Sequence, residues 1–181
     1  LDVLLERPKS MRHGDTEARP GPSELIWQAV SRALERLSGI REIEVGVGGV
    51  VFVRHDGFGR VRLDALSDGY LTTIGWVVDL IARWIKRQYE LDEPIGPDLL
   101  RQMSGFVLFD EIDLHLHPSW QLRLLDDVRQ VFPRMSFVVT THNPLTLQGA
   151  RPGEIYVMRA GEGGIELVQR DIRPGHDVDR V

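Results

Sequence analysis

The distribution of apolar residues changes period several times along this chain, and each change marks an element. Leu25, Ile26, Trp27, Val30, Ala33, Leu34 and Leu37 recur at helical spacing after Pro22-Ser23-Glu24 and stop at Ser38-Gly39, which predicts a helix ended by a glycine exit turn. From Ile40 to Leu63 the period falls to two: Ile43, Val45 and Val47 alternate with polar or small residues, then Val50 to Val53, Val61 and Leu63 follow. Gly48-Gly49 and His55-Asp56-Gly57 supply turns, so the stretch reads as a β-meander. A long helix is predicted from Gly69 to Tyr89, with Leu71, Ile74, Val77, Val78, Ile81, Ala82 and Ile85 on one face. Phe106-Val107-Leu108-Phe109 and Ser136 to Thr140 are continuous apolar runs of the kind that strands buried on both faces of a parallel sheet carry. A helix between them is expected over Pro118 to Val131, with proline in its first turn. Glu154 to Met158 and Gly164 to Val168 close the pattern as two strands joined through Gly161-Glu162-Gly163-Gly164. Strand, helix, strand, short helix, strand is an α/β succession. Residues 7–22 lack periodicity and read as a linker. The stretch 91–102 reads as an inserted loop rich, over Leu91 to Pro97, in prolines and acids.

Length and charge narrow the class. At 181 residues the chain is long enough for one core, and its net charge of −5 argues against wholesale electrostatic binding to nucleic acid. With no cysteine there can be no disulfide or thiolate zinc site, which suits a reducing compartment. No apolar run is long enough to span a bilayer, and no signal-peptide pattern opens the chain, so the sequence reads as soluble and cytoplasmic. It opens on Leu1, mid-pattern, as expected of a piece of something larger.

Three segments carry chemistry. Phe106 to Phe109 deliver Asp110 and Glu111 to the C-terminal end of a strand, where open α/β sheets bind ligands. One carboxylate there can hold a hard cation through oxygen while the other polarises a water as general base. Taken alone, the pair is as easily the start of a solvated loop. The run ending Thr140-Thr141-His142-Asn143-Pro144 is a second such strand, and His142 at its tip could hydrogen-bond a phosphate oxygen. If the two strands lie side by side, Asp110, Glu111 and His142 share one rim. Third, Leu66-Ser67-Asp68-Gly69-Tyr70 precedes the long helix, whose free N–H groups form a natural phosphate site. By itself this is also an ordinary helix cap.

In this order, Leu-Ser-Asp-Gly-Tyr, apolar-Asp-Glu and Thr-His-Asn-Pro together resemble the ABC-type ATPases. Asp110-Glu111-Ile112-Asp113-Leu114-His115-Leu116-His117-Pro118 is most similar to the SMC-like, RecF-like and OLD-nuclease-type soluble branch. The resemblance spans about 63–147. It implies an α/β fold, the C-terminal lobe of a P-loop NTPase with a mostly parallel sheet, flanking helices and the β-meander, occupying residues 23–181. It implies ATP and Mg²⁺ as ligands: Asp110 for the metal, Glu111 to activate the attacking water, and His142 as the switch histidine on the γ-phosphate. Ser67 and Gly69 would contact ATP held by an opposite head, and Asp113 would lie in the loop through which the heads communicate. The implied partners are a second head, most simply in a homodimer around ATP, with DNA and an effector nuclease beyond it. The implied setting is DNA repair, chromosome maintenance or phage defence.

The sequence departs from the family pattern in three places. A Walker A loop needs Gly-Lys followed by Ser or Thr. The two lysines, Lys9 and Lys86, follow Pro8 and Ile85, so the loop is absent and this chain alone is expected to bind ATP poorly. Its Walker A half is expected upstream, in a separate chain, or deleted. Asp68 and Tyr70 depart from the transporter form of the signature, and a carboxylate beside phosphate is unfavourable, so Asp68 is expected to cap the helix. The interval from Gly69 to Asp110 also exceeds one helix, and 91–102 accounts for the surplus. Two rival readings remain. Asp110, Asp113, His115, His117 and His142 could surround zinc or manganese in a metal-dependent hydrolase or nuclease, although Pro118 and the helical spacing after it place both intermediate histidines in a loop. A non-catalytic dimerisation module is the other. Arg54, Arg60, Arg62, Arg83 and Arg87 are the candidate contacts to nucleic-acid phosphates.

Overall fold

The computed structural model describes residues 22–161 and 163–170, so the linker expected over 7–22 lies almost wholly outside the described residues. The first helix, α1 (Pro22–Ser38), buries Ile26, Ala29, Val30, Ala33, Leu34 and Leu37 at intervals of three and four. It ends as predicted: Gly39 takes φ +73 and donates its N–H to the Glu35 carbonyl at 3.0 Å. Strands β1 (Ile40–Val45), β2 (Val51–His55) and β3 (Gly59–Arg62) form the antiparallel meander in the order β1-β2-β3. Val53 from its centre is fully buried in the cluster that α1 helps to build.

The long helix α2 (Asp68–Glu90) turns Thr73, Val77, Ile81, Ile85 and Gln88 inward. The inserted stretch is partly helical: α3 (Leu99–Gln102) buries Leu99 and Leu100, so it contributes to the core as well as connecting. Strand β4 (Gly105–Phe109) leads into α4 (Pro118–Gln121) and α5 (Leu124–Val131), then into β5 (Met135–Val139). The single helix expected over 118–131 is thus broken. At the junction the bonding tightens, with the Arg123 N–H reaching the Trp120 carbonyl only three residues back. A one-turn helix, α6 (Pro144–Leu147), follows β5. Strands β6 (Ile155–Gly161) and β7 (Gly164–Arg170) form the closing antiparallel pair.

Among the described residues the parallel component is β4 and β5, paired in register from Gly105 opposite Met135 to Phe109 opposite Val139. The expectation that these strands are buried on both faces does not hold in this chain. One face packs on the core through Phe109, Phe137 and Val139, but the other leaves Phe106 65%, Leu108 75% and Val138 50% exposed. Side chains alternate across a strand, so a continuous apolar run with one covered face leaves the other uncovered. No described helix is long and apolar enough to cross a membrane.

Candidate functional site

The parallel pairing sets the site. Because β4 and β5 run side by side, both emerge at the same edge, and Thr140 fastens their ends together. Its N–H donates to the Phe109 carbonyl at 2.9 Å, and its own carbonyl accepts from Ile112 at 3.2 Å. The Thr140 hydroxyl lies between the two carboxylate residues, accepting the Glu111 N–H at 2.8 Å and donating to Asp110 Oδ1. Glu111 itself sits at φ +49, a left-handed conformation uncommon outside glycine. That turn carries the chain from strand into loop, and Leu114 N–H closes it on the Glu111 carbonyl at 3.0 Å.

His142 arrives from β5. Its Nδ1 lies 3.8 Å from Glu111 Oε1, beyond hydrogen-bond reach, and its side chain is 82% exposed. Glu111, Asp113, Leu114, His115, Gln121, His142 and Asn143 line a cleft of about 150 Å³. Asp110, Glu111 and His142 are therefore brought to one rim, as the strand ends required. Asp110 Oδ2 makes no hydrogen bond to any described residue, which leaves a hard anionic oxygen facing solvent on the rim. This donor suits Mg²⁺.

Asp113 is placed differently. It is only 5% exposed, and its Oδ2 accepts from the hydroxyls of Thr141 at 2.8 Å and Thr146 at 2.6 Å. Its carboxylate faces this chain's own interior. Ser67 occupies the N-cap of α2 yet makes no capping bond with its side chain, and it is exposed. Asp68 is not the cap, contrary to expectation; it is the first helical residue, where its charge faces the positive end of the helix dipole. Gly69 is buried against the loop after β4: a Cβ there would lie 2.5 Å from the His115 carbonyl oxygen. The start of α2 and the carboxylate loop are thus in direct contact. Tyr70 extends that contact, edge-on to Trp120 at 4.6 Å and bonded through its hydroxyl to His55 Nε2 at 3.0 Å. Burial pushes its phenol above the ordinary value, opposed by the Arg123 charge.

The metal-hydrolase arrangement does not assemble. Among the described residues no group of three or more His, Asp or Glu side chains could hold a metal ion. Asp113 is turned into the interior, and His117 is used as the N-cap of α4, accepting from Ser119 N–H. The arginines proposed for phosphate are mostly spoken for: Arg54 and Arg60 pair with Glu44, Arg62 with Asp64 and Arg83 with Asp79. The guanidiniums of Arg60, foremost, and Arg54 hold the Glu44 carboxyl below its ordinary value. Arg87 is exposed on α2. Sequence reasoning passed over Thr140, Thr141 and Thr146, although each bonds to the carboxylate loop. A threonine at the end of a β-branched run looks like more strand, and only the pairing register reveals what its hydroxyl meets.

Two carboxylates and a histidine thus share one rim at the ends of parallel strands, with the start of α2 packed on the same loop. The chain belongs to the family described as "AAA domain, putative AbiEii toxin, Type IV TA system", which matches residues 6–148. It is 38% identical over 101 residues to the Septu protein PtuA of Bacillus mycoides (strain KBAB4), covering 56% of this chain and 13% of that protein. It is 36% identical over 115 residues to the Retron Vc95 probable ATPase of Vibrio cholerae serotype O1 biovar El Tor, covering 64% of this chain and 21% of that one. The chain therefore spans about an eighth to a fifth of these relatives. In fold it is similar to the SMC head domain from Thermotoga maritima, with a TM-score of 0.54 at 16% identity over 83% of this chain and 49% of that one. An SMC ATPase structure described by "ATP-driven dimerization and DNA stimulated activation" gives 0.55 at 18% identity over 82% and 84%.

Proposed function

We propose that this chain is the signature and Walker B half of an ATPase head that hydrolyses ATP sandwiched between two heads. The carrying observation is the Thr140 bridge: one hydroxyl fixes Asp110 and the Glu111 backbone together, beside an exposed His142. In this reading Asp110 holds Mg²⁺ through its free oxygen, and the ion when bound supplies charge neutralisation to the phosphates. Glu111 takes a proton from the attacking water, and His142 donates to the γ-phosphate. Ser67, with its hydroxyl uncommitted, and the start of α2 face the nucleotide of the opposite head. Positioning and electrostatics then provide most of the acceleration, as in phosphoryl transfer generally. The unpartnered face of β4 and β5, with Phe106, Leu108 and Val138 exposed, supports a head completed by a Walker A half. Similarity to a Septu protein and to a retron ATPase favours phage defence as the setting; DNA and an effector nuclease are the wider partners that the family resemblance implies.

The test uses this chain complemented by its Walker A half and carrying Glu111→Gln. Mg-ATP should convert single heads into dimers that persist, seen by light scattering, while phosphate release falls by about a hundredfold or more. A mass unchanged by ATP would remove the sandwich. Unaltered turnover would remove Glu111 as the base.

A further inference from the structure

The buried carboxyl of Asp113 is not explained by contact with a second head, since it faces inward. Nor does it form an ion pair: among the described residues its side-chain partners are the hydroxyls of Thr141 and Thr146. Burying a carboxyl against two neutral donors is costly, so an apolar residue would fill the site more cheaply. What the carboxyl provides is geometry. Thr141 Oγ1, while donating to Asp113, accepts the Asn143 N–H at 2.9 Å. Asn143 Oδ1 in turn accepts the Leu145 N–H at 2.9 Å, starting α6, and Thr146 returns to the same Asp113 oxygen. The residues on both sides of His142 are therefore tied to one buried point, while the imidazole between them stays exposed. That point lies two residues after Glu111, on the turn that Glu111 opens.

We infer that Asp113 is a positioning residue for His142, acting through Thr141 and Thr146, so that the histidine's loop is registered to the Glu111 turn. The inference rests on the ATPase reading above. A shift of His142 relative to Glu111 then costs turnover and leaves nucleotide binding nearly intact, because binding is dominated by groups outside this loop.

The experiment is steady-state ATP hydrolysis by the complete head with Thr141→Val, Thr141→Ser, His142→Ala and the double variant Thr141→Val/His142→Ala. Loss of the hydroxyl in Thr141→Val should lower kcat on the order of ten- to a hundredfold, as displacement by about an ångström does elsewhere. KM for Mg-ATP should stay within about twofold, since uniform binding is untouched. Thr141→Ser, which keeps the hydroxyl, should restore turnover. If Thr141 acts through His142, the double variant is no slower than His142→Ala alone. Wild-type kcat in Thr141→Val, or losses that multiply in the double variant, would overturn the inference and leave the ATPase reading standing. Absence of hydrolysis by the wild-type head would overturn both. Thr141 is half-buried, and Thr141→Ala gives the same readout should the valine variant fail to accumulate.

Discussion

The contact between α2 and the carboxylate loop makes two glycines of one helix respond differently to the same substitution. Gly75 lies on the exposed side of α2 with nothing within 4 Å of the position a Cβ would take. Alanine there relieves the backbone entropy cost of glycine and should stabilise by roughly 0.5–1 kcal/mol. Gly69 offers the same gain but no room. Its Cβ would stand 2.5 Å from the His115 carbonyl oxygen and 3.3 Å from the carbonyl carbon. That oxygen belongs to backbone, at a residue held at φ +64 between the Leu116-to-Asp113 bond and the His117 cap. It cannot swing aside as a flexible side chain would. Either the loop or the first turn of α2 must retreat, and overpacking of this kind costs about 1–3 kcal/mol. Because the backbone gain is common to both sites, the two substitutions should differ by the overpacking cost, about 1–3 kcal/mol. Urea midpoints of the complete protein, with hydrogen exchange of the α2 amides as a local check, measure the difference. A Gly69→Ala variant as stable as Gly75→Ala would show that the packing of signature on loop is not as described. Such a result would leave a phosphate contact as the sole reason for glycine there.

Two further outcomes follow from burial. Asp127 lies almost fully buried between Arg36, 2.8 Å away, and Arg123, 3.3 Å away, and burial outweighs both guanidiniums in raising its carboxyl above the ordinary 3.8. The folded state thus holds this proton more tightly than the unfolded chain, so stability falls as pH rises from about 3.8 through the raised value. Asp127→Asn should flatten that segment of the stability–pH curve; an unchanged slope in urea titrations would refute the assignment. On the uncovered face of β4, the double variant Phe106→Ser/Leu108→Asn should reduce self-association of the isolated segment in sedimentation with little loss of helical circular dichroism, because both side chains already face solvent. Collapse of the helical signal instead would mean that this face is covered from within.

Periodicity carried the sequence reading wherever one face of an element meets the core. Helix α2 was legible because burial repeats every three or four residues; the meander was legible from its alternating apolar residues and its turns, although Val45 and Val47 of that alternation are exposed. The carboxylate pair was legible only in company with the two other motifs, since alone it reads as easily as the start of a solvated loop. What escaped depended on the third dimension. Nothing in residues 119–131 marks the tightened turn at Arg123, since no glycine or proline stands among them. The left-handed turns at Glu111 and His115 are imposed by the loop's return path, on residue types that do not advertise them. The family resemblance places Asp113 in a loop between heads, and only its two hydroxyl partners show that its carboxylate is held inside this chain. The bareness of Phe106 and Leu108 was equally hidden: an apolar run says that a strand wants covering, not which polypeptide does it.

The Thr140 bridge also bears on how such a protein can be recombined. Its amide, carbonyl and hydroxyl are all committed to residues 109–112, so the strand carrying His142 and the strand carrying the carboxylates are a single heritable unit. A chimera that imports β5 from a distant relative must bring a hydroxyl at this position or lose the registration of both acids. Shuffling at the meander or at 91–102, by contrast, leaves the bridge untouched.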